Sequence, residues 1–365
     1  MSDQVVMTVL GPIAPDELGM TITHEHLIVD LSPWFFTPEE ASHRRDINRP
    51  VDMSMLTDLR RRPMSITLDN MVLNDIHLAI EELGYYIRTG GRSLVEVTCY
   101  GISRDARALQ EIARATELNI VMSTGFYVEN SHPEWVREKT ADELADLMVK
   151  EIVEGVGDTG IRAGLIAEIG LTGIPKGAGR RKVGPMTPEE EKTLRAAARA
   201  HGQTGLTVSV HLDPIEPRAA IPAIDVLESE GVPPDRIILD HMDQVNDADY
   251  HLAAAARGVY IEYDSLGRDH YSDEWGYDFN WGHDSWRVRM AHRLVEAGHG
   301  DQLLLSHDVC MKTDLRTYGG PGYGHVPRTI VPMLGAVGVA PAAIDRMLVD
   351  NPARALAFSP AVAAP

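Results

Sequence analysis

Eight short β-type runs, each separated from the next by a longer stretch with helical signals, constrain this chain more than any other feature. The runs cover residues 20–26, 94–99, 119–124, 163–168, 206–211, 236–241, 258–264 and 302–308. Strands alternating with helices imply a parallel sheet, because parallel neighbours need a long crossover and a helix supplies it. Eight such units close a barrel, so the expected fold class is α/β, a distorted TIM (β/α)8 barrel. The intervening stretches carry helix-end signals. In "TPEEEKTLRAAARAHG", Thr187 stands as N-cap, Pro188 at the first position, Glu190 completes a capping box, and Gly202 is the expected terminator. In "LNDIHLAIEELGYYIRTGG", Ile76, Ile80 and Leu83 recur at helical spacing ahead of Gly90 and Gly91.

No internal repeat or low-complexity linker divides the 365 residues, so one unit is expected over 1–365. Within it, 1–19 read as an N-terminal hairpin, 20–355 as the barrel and 356–365 as a frayed tail. A long excursion rich in Arg, Pro and Met, from about Ser32 to Thr67, follows the first strand. The net charge of −20 argues against nucleic-acid or anionic-membrane partners, which would need clustered Lys and Arg, and favours a small-molecule substrate. Two cysteines, Cys99 and Cys310, form no C-x-x-C pair, and neither a basic leader nor a run of about 18 apolar residues is present. A cytoplasmic protein, without membrane anchoring, is the expectation.

In this architecture active sites are built at the C-terminal ends of the strands. The first run ends in His24 and His26, the fourth in Glu168, the fifth in His211, the sixth in His241 and the eighth in Asp308. Residues at i and i+2 on a strand point to the same side, so His24 and His26 can both face the barrel axis. His307 points the other way and is read as structural. A single strand histidine is usually a satisfied core residue; six strand-end residues of metal-ligating type are not explained that way. Four imidazoles and two carboxylates exceed one tetrahedral site and suit two divalent ions sharing a carboxylate. A ligand set without thiolate suits zinc, manganese, iron or cobalt. Glu96 is expected to support the ligands, and Cys99 to lack the base partner of a nucleophile.

These residues, together with "LGPIAPDELGMTITHEHL", "RAGLIAEIG", "GFYVENSHPEW", "LLLSHD", "TYGGPGYGHV" and "LVDNPARALAF", resemble the phosphotriesterase family of the amidohydrolase superfamily over nearly the whole chain. The resemblance implies a binuclear metal centre, usually zinc, and a hydrolase. It implies His24, His26 and Asp308 on the more buried ion and His211 and His241 on the exposed one. Glu168 stands where many members carry a bridging carboxylated lysine, as in a recognised subgroup; Lys176 is better read as loop surface. Organophosphate-degrading members carry an Asp and His pair beyond the metals, where this chain has Gln244 and Ser265, so phosphotriester hydrolysis is expected only as a promiscuous activity.

The expected reaction is attack of a metal-activated hydroxide on a carbonyl, with Asp308 as catalytic base and shuttle to the leaving group. A carboxylic ester or lactone is the leading substrate class, an amide or carbamate with an aromatic group the alternative, and an inactive metal-binding protein the non-enzymatic one. Tyr127, Asp264, Arg268 and Lys312 are the expected substrate contacts. The aromatic-rich segment at 264–286 is expected to wall a pocket or a homodimer interface.

Overall fold

The computed structural model describes residues 4–38, 43–178, 182–213, 217–268 and 282–360. Its strands are β1 Val6–Thr8, β2 Gly11–Ile13, β3 Thr21–Glu25, β4 Val29–Asp30, β5 Val72–Leu73, β6 Ser93–Glu96, β7 Asn119–Thr124, β8 Leu165–Leu171, β9 Val208–Leu212, β10 Ile237–Leu239, β11 Tyr260–Tyr263 and β12 Leu303–Leu305. β3 and β6 to β12 form one eight-stranded sheet in chain order, every neighbouring pair parallel. Each of the eight expected runs contributes one of these strands. The sheet curls until β12 meets β3. There Asp308 N–H donates to the His24 carbonyl at 3.1 Å and His26 N–H to the Val309 carbonyl at 3.3 Å, while His24 N–H donates to Ser306 Oγ at 2.9 Å. The barrel therefore closes through a short seam between the C-terminal end of its first strand and the residues just past its last.

Strand periodicity divides the core in two. Leu94, Ile120, Met122, Ile166, Val208, Val210, Ile237, Leu239, Ile261, Leu303 and Leu305 pack outward against the helices. The alternate positions, including Val95, Val97, Val121, Leu165, Ala167, Ile238 and Leu304, fill the barrel together with Val6, Leu18, Ala355 and Leu356, which plug the end opposite the strand C-termini. The leading hairpin β1–β2 is antiparallel and belongs to that plug. The C-terminal stretch stays packed further than the sequence suggests. Phe358 is buried and exchanges two backbone hydrogen bonds with Val5, at 2.9 and 3.0 Å.

The helices are α1 Leu56–Leu59, α2 Ile76–Ile87, α3 Ala106–Thr116, α4 Glu134–Glu138, α5 Ala141–Val153, α6 Pro188–Thr204, α7 Ala220–Ser229, α8 Ala248–Ala255, α9 Asp284–Glu296, α10 Val331–Ala336, α11 Pro341–Asp345 and α12 Asn351–Leu356. α6 begins as expected, with Thr187 Oγ1 accepting from Glu190 N–H at 3.1 Å and the Glu190 carboxylate returning to Thr187 N–H at 2.9 Å. It does not stop at Gly202: it runs to Thr204, because Gly205 takes the left-handed conformation (φ +74°) that releases the chain. The excursion after β3 is held at its base by the antiparallel pair β4–β5 and carries its own small core of Val51, Met55 and Leu59. Among the described residues no helix is long and apolar enough to cross a membrane.

Candidate metal centre

The strand ends bring all six candidate ligands together, and none is more than 7% exposed. Glu168 lies in the middle. Its Oε2 is 3.4 Å from His24 Nε2, 2.8 Å from His211 Nδ1 and 3.8 Å from His241 Nε2, and its Oε1 is 3.5 Å from His26 Nε2. Asp308 Oδ1 closes the other side, 3.3 Å from His26 Nε2 and 3.9 Å from His24 Nε2. Three overlapping sets, His24–His26–Glu168, His24–His241–Asp308 and Glu168–His211–His241, each hold their donor atoms within 4.8 Å of one another. Only four non-glycine residues among those described have positive φ, and two of them are His241 (+60°) and Asp308 (+51°). Such backbone is costly for side-chain-bearing residues and persists where the surroundings over-determine it.

A layer behind the ligands sets which ring nitrogens face inward. The single hydroxyl hydrogen of Thr98 goes to Glu96 Oε1 (2.6 Å), so Thr98 Oγ1 accepts from His26 Nδ1–H (2.8 Å) and leaves Nε2 facing Glu168 and Asp308. Glu96 thus orients His26 through Thr98. His241 Nδ1–H donates to Asp264 Oδ1 at 2.9 Å, and its Nε2 turns inward. His24 presents Nδ1 to Asp264, Glu262 and Asp240 at 3.4–3.7 Å. Orienting an imidazole through its second nitrogen is what a metal-ligating histidine requires.

The electrostatics also suit cations. Burial alone would lower the pKa of His24, but Asp264 and Glu168 outweigh it and raise the value well above the ordinary one; Asp264 does the same for His241. Burial would likewise raise Glu168 and Asp308, yet the His24 imidazolium beside Glu168, and Arg268 beside Asp308, hold both carboxyls ionised. His211 goes the other way, lowered by burial and by His241. His24 Nε2, Glu168 Oε1 and His211 Nε2 are buried without a hydrogen-bond partner. Buried polar atoms left unsatisfied are expensive, and a pair of divalent ions would satisfy them while displacing the imidazole protons. The residues fit the group.

Above the six ligands opens a cleft of about 460 Å³ including its mouth, walled on one side by Leu31, Trp34, Met64 and Tyr127 and on the other by Gln244, Arg268 and Cys310. Of the expected substrate contacts, Tyr127 and Arg268 line it. Arg268 is buried, with Nη1 3.0 Å from Asp308 Oδ2 and Nη2 on Cys310 Sγ at 2.8 Å. Asp264 does not reach the cleft; it lies beneath His241, accepting both its ring and its backbone N–H. Lys312 does not reach it either, because its ammonium pairs with Asp69 at 2.7 Å. Gln244 Nε2 donates to Ser265 Oγ at 2.7 Å in the place of the shuttling acid–histidine pair. Cys99 is buried outside the cleft, against the Glu168 carbonyl. His270, Trp275 and Trp281 of the aromatic-rich segment lie outside the described residues. Trp34 and Met64 had no signal in the sequence, since they come from the irregular excursion.

An N-acetyltaurine hydrolase from Salmo salar is 33% identical over 354 residues, 97% of this chain and 98% of that protein. A resiniferatoxin-binding protein from Rhodobacter sphaeroides superposes with a TM-score of 0.90 at 37% identity, covering 96% of this chain and 94% of its own. A lactonase from Listeria monocytogenes superposes with a TM-score of 0.75 at 25% identity, covering 96% and 98%. The sequence profile of the Phosphotriesterase family matches residues 4–356. With the match running from the leading hairpin to the last helix, the chain belongs to the phosphotriesterase family and is a metal-dependent hydrolase.

Proposed function

We propose that the protein hydrolyses the C–N bond of a small carboxamide at a binuclear centre. His24, His26 and Asp308 would hold one ion, His211 and His241 the other, and Glu168 would bridge them. When bound, the ions supply an activated water and polarise the substrate carbonyl. Asp308 takes the proton released by that water and returns it to the departing nitrogen. An amine cannot leave as an anion, so this return matters more for an amide than for an ester. Arg268, 3.0 Å from Asp308 Oδ2, keeps the carboxylate ionised and oriented. Trp34 Nε1–H donates to the Tyr127 hydroxyl at 3.1 Å, which leaves the phenolic hydrogen free to meet a substrate oxygen. Leu31, Trp34 and Met64 offer an apolar surface for the acyl group.

The observation that carries the choice of an amide is the full-length likeness to N-acetyltaurine hydrolases, at 33% identity against 25% for the lactonase. It moves the amide ahead of the ester or lactone that led the sequence reading. The lactone remains the second reading, supported by that same lactonase likeness and the apolar wall of the cleft. Zinc at both positions, a cytoplasmic location and a homodimer complete the proposal; metal analysis, fractionation and sedimentation test them. The substrate test is a panel of N-acyl amino and sulfonic acids, anilides, lactones, aryl esters and phosphotriesters. The expected result is highest kcat/KM on an N-acyl compound. Turnover of lactones with no detectable amide cleavage would replace the proposal by the second reading.

A further inference from the structure

The residue between His24 and His26 faces away from the candidate metal centre, yet it is tied to the segment that follows the neighbouring strand β12. Glu25 is fully buried. Its Oε1 accepts from His307 Nδ1–H at 2.6 Å and His307 N–H at 3.1 Å and lies 2.7 Å from Ser306 Oγ; its Oε2 accepts from Val309 N–H at 3.1 Å. His307 Nε2 accepts from Val326 N–H at 2.8 Å, which fixes the imidazole proton on Nδ1, pointing at Glu25. The two amides held by Glu25 flank Asp308, whose own N–H goes to the His24 carbonyl at 3.1 Å. Three consecutive backbone N–H groups, 307 to 309, therefore end on residues 24 and 25. They enclose the one residue of the segment with left-handed backbone, Asp308 at φ +51°.

We propose that Glu25 is a positioning residue for Asp308: by clamping the amides on either side, it holds the unfavourable backbone turn that aims the Asp308 carboxylate at His26 and Arg268. Glu25 touches neither the cleft nor a candidate ligand atom, so it acts through the main chain of 307–309. No other carboxylate among the described residues accepts from either flanking amide. The two faces of β3 would thus serve the same ion, His24 and His26 supplying ligands inward while Glu25 fixes Asp308 from behind.

This inference rests on reading Asp308 as ligand and base, and the test separates the two. Glu25→Gln keeps the shape but places an NH2 donor where an acceptor oxygen faced an amide. The measurements are kcat and KM on the best panel substrate and, independently of any substrate, the rate at which a chelator strips manganese from the Mn-loaded protein. A displacement of about 1 Å at a reacting group costs up to about 100-fold. The expected result is a loss of about 10- to 100-fold in kcat with KM changed less than about 3-fold, and at least one ion released faster than from wild type. Glu25→Asp, which retracts the carboxylate by one methylene, is expected to fall between the two; if Glu25→Gln does not fold, this variant decides. Wild-type kcat and wild-type ion release in the variant, with only a lowered melting temperature, would overturn the proposal. Asp308→Asn serves as control: full activity there removes the base role whatever Glu25 does, whereas an inactive Asp308→Asn beside an unaffected Glu25→Gln removes the clamp alone.

Discussion

Asp308 carries two interactions that pull in different directions. Oδ1 faces the imidazoles of His24 and His26, and Oδ2 faces the Arg268 guanidinium. Replacing it by Asn keeps a ligating oxygen but removes the basic one. Asp308→Asn is expected to retain bound metal by elemental analysis while kcat falls about 10²- to 10⁴-fold, the usual worth of a positioned acid–base group. Near-normal turnover would take Asp308 out of that role. At this scale the candidate ligands were legible because each stands at or just past the end of a β run, and for His24 and His26 a period of two also gives the side-chain direction. Asp264 and Lys312 were misread because sequence gives proximity to a strand end but not depth. Asp264 sits one layer below the cleft, and Lys312 finds Asp69 in a segment 243 residues away. The left-handed backbone of His241 and Asp308 left no trace in residue type, since neither is glycine.

At the scale of elements, α8 shows how a helix and strand constrain each other through one buried histidine. His251 is fully buried, and its Nδ1 shares a hydrogen bond of 2.6 Å with the Tyr263 hydroxyl from β11. Burial pushes its pKa down to about 4, against about 6.5 in an unfolded chain. Between those values the unfolded chain binds the extra proton, so this histidine's contribution is complete above about pH 6.5 and is lost as the pH falls towards 4. The whole difference is worth about 3 kcal/mol. Denaturant unfolding at pH 7.5 and pH 5 is expected to show a smaller pH dependence for His251→Gln than for wild type; parallel dependences would exclude His251 as a contributor. Elements with a clear period or explicit ends, such as the eight barrel strands and α6, were legible. The short pair β4–β5 and the irregular turns between them were not, because their hydrogen bonds come from tertiary placement rather than from periodicity.

Across the whole molecule, candidate ligands come from five strands, so bound ions act as cross-links of the folded barrel and of no unfolded form. Ions at about 1,000 times their dissociation constant would add about 4 kcal/mol. Removing them with a chelator should lower the melting temperature by roughly 5 °C or more for a chain of this size, with recovery on adding zinc. A melting temperature unmoved by chelation would mean that the six residues do not hold ions tightly. The class of fold was legible at this level because eight alternating units admit few topologies; where the barrel closes was not. The seam between β3 and β12 joins residues near position 25 to residues near 308 through Ser306, Asp308 and Val309. On the ribosome this orders events in time. His24 and His26 emerge some 280 residues before Asp308 and the amides that anchor it, so a chain that has not reached Asp308 has neither a closed ring nor all six candidate ligands. Completion of a two-ion site would thereby wait for the last barrel strand, and a product truncated before Asp308 would keep the four imidazoles and Glu168 without the carboxylate that closes the site.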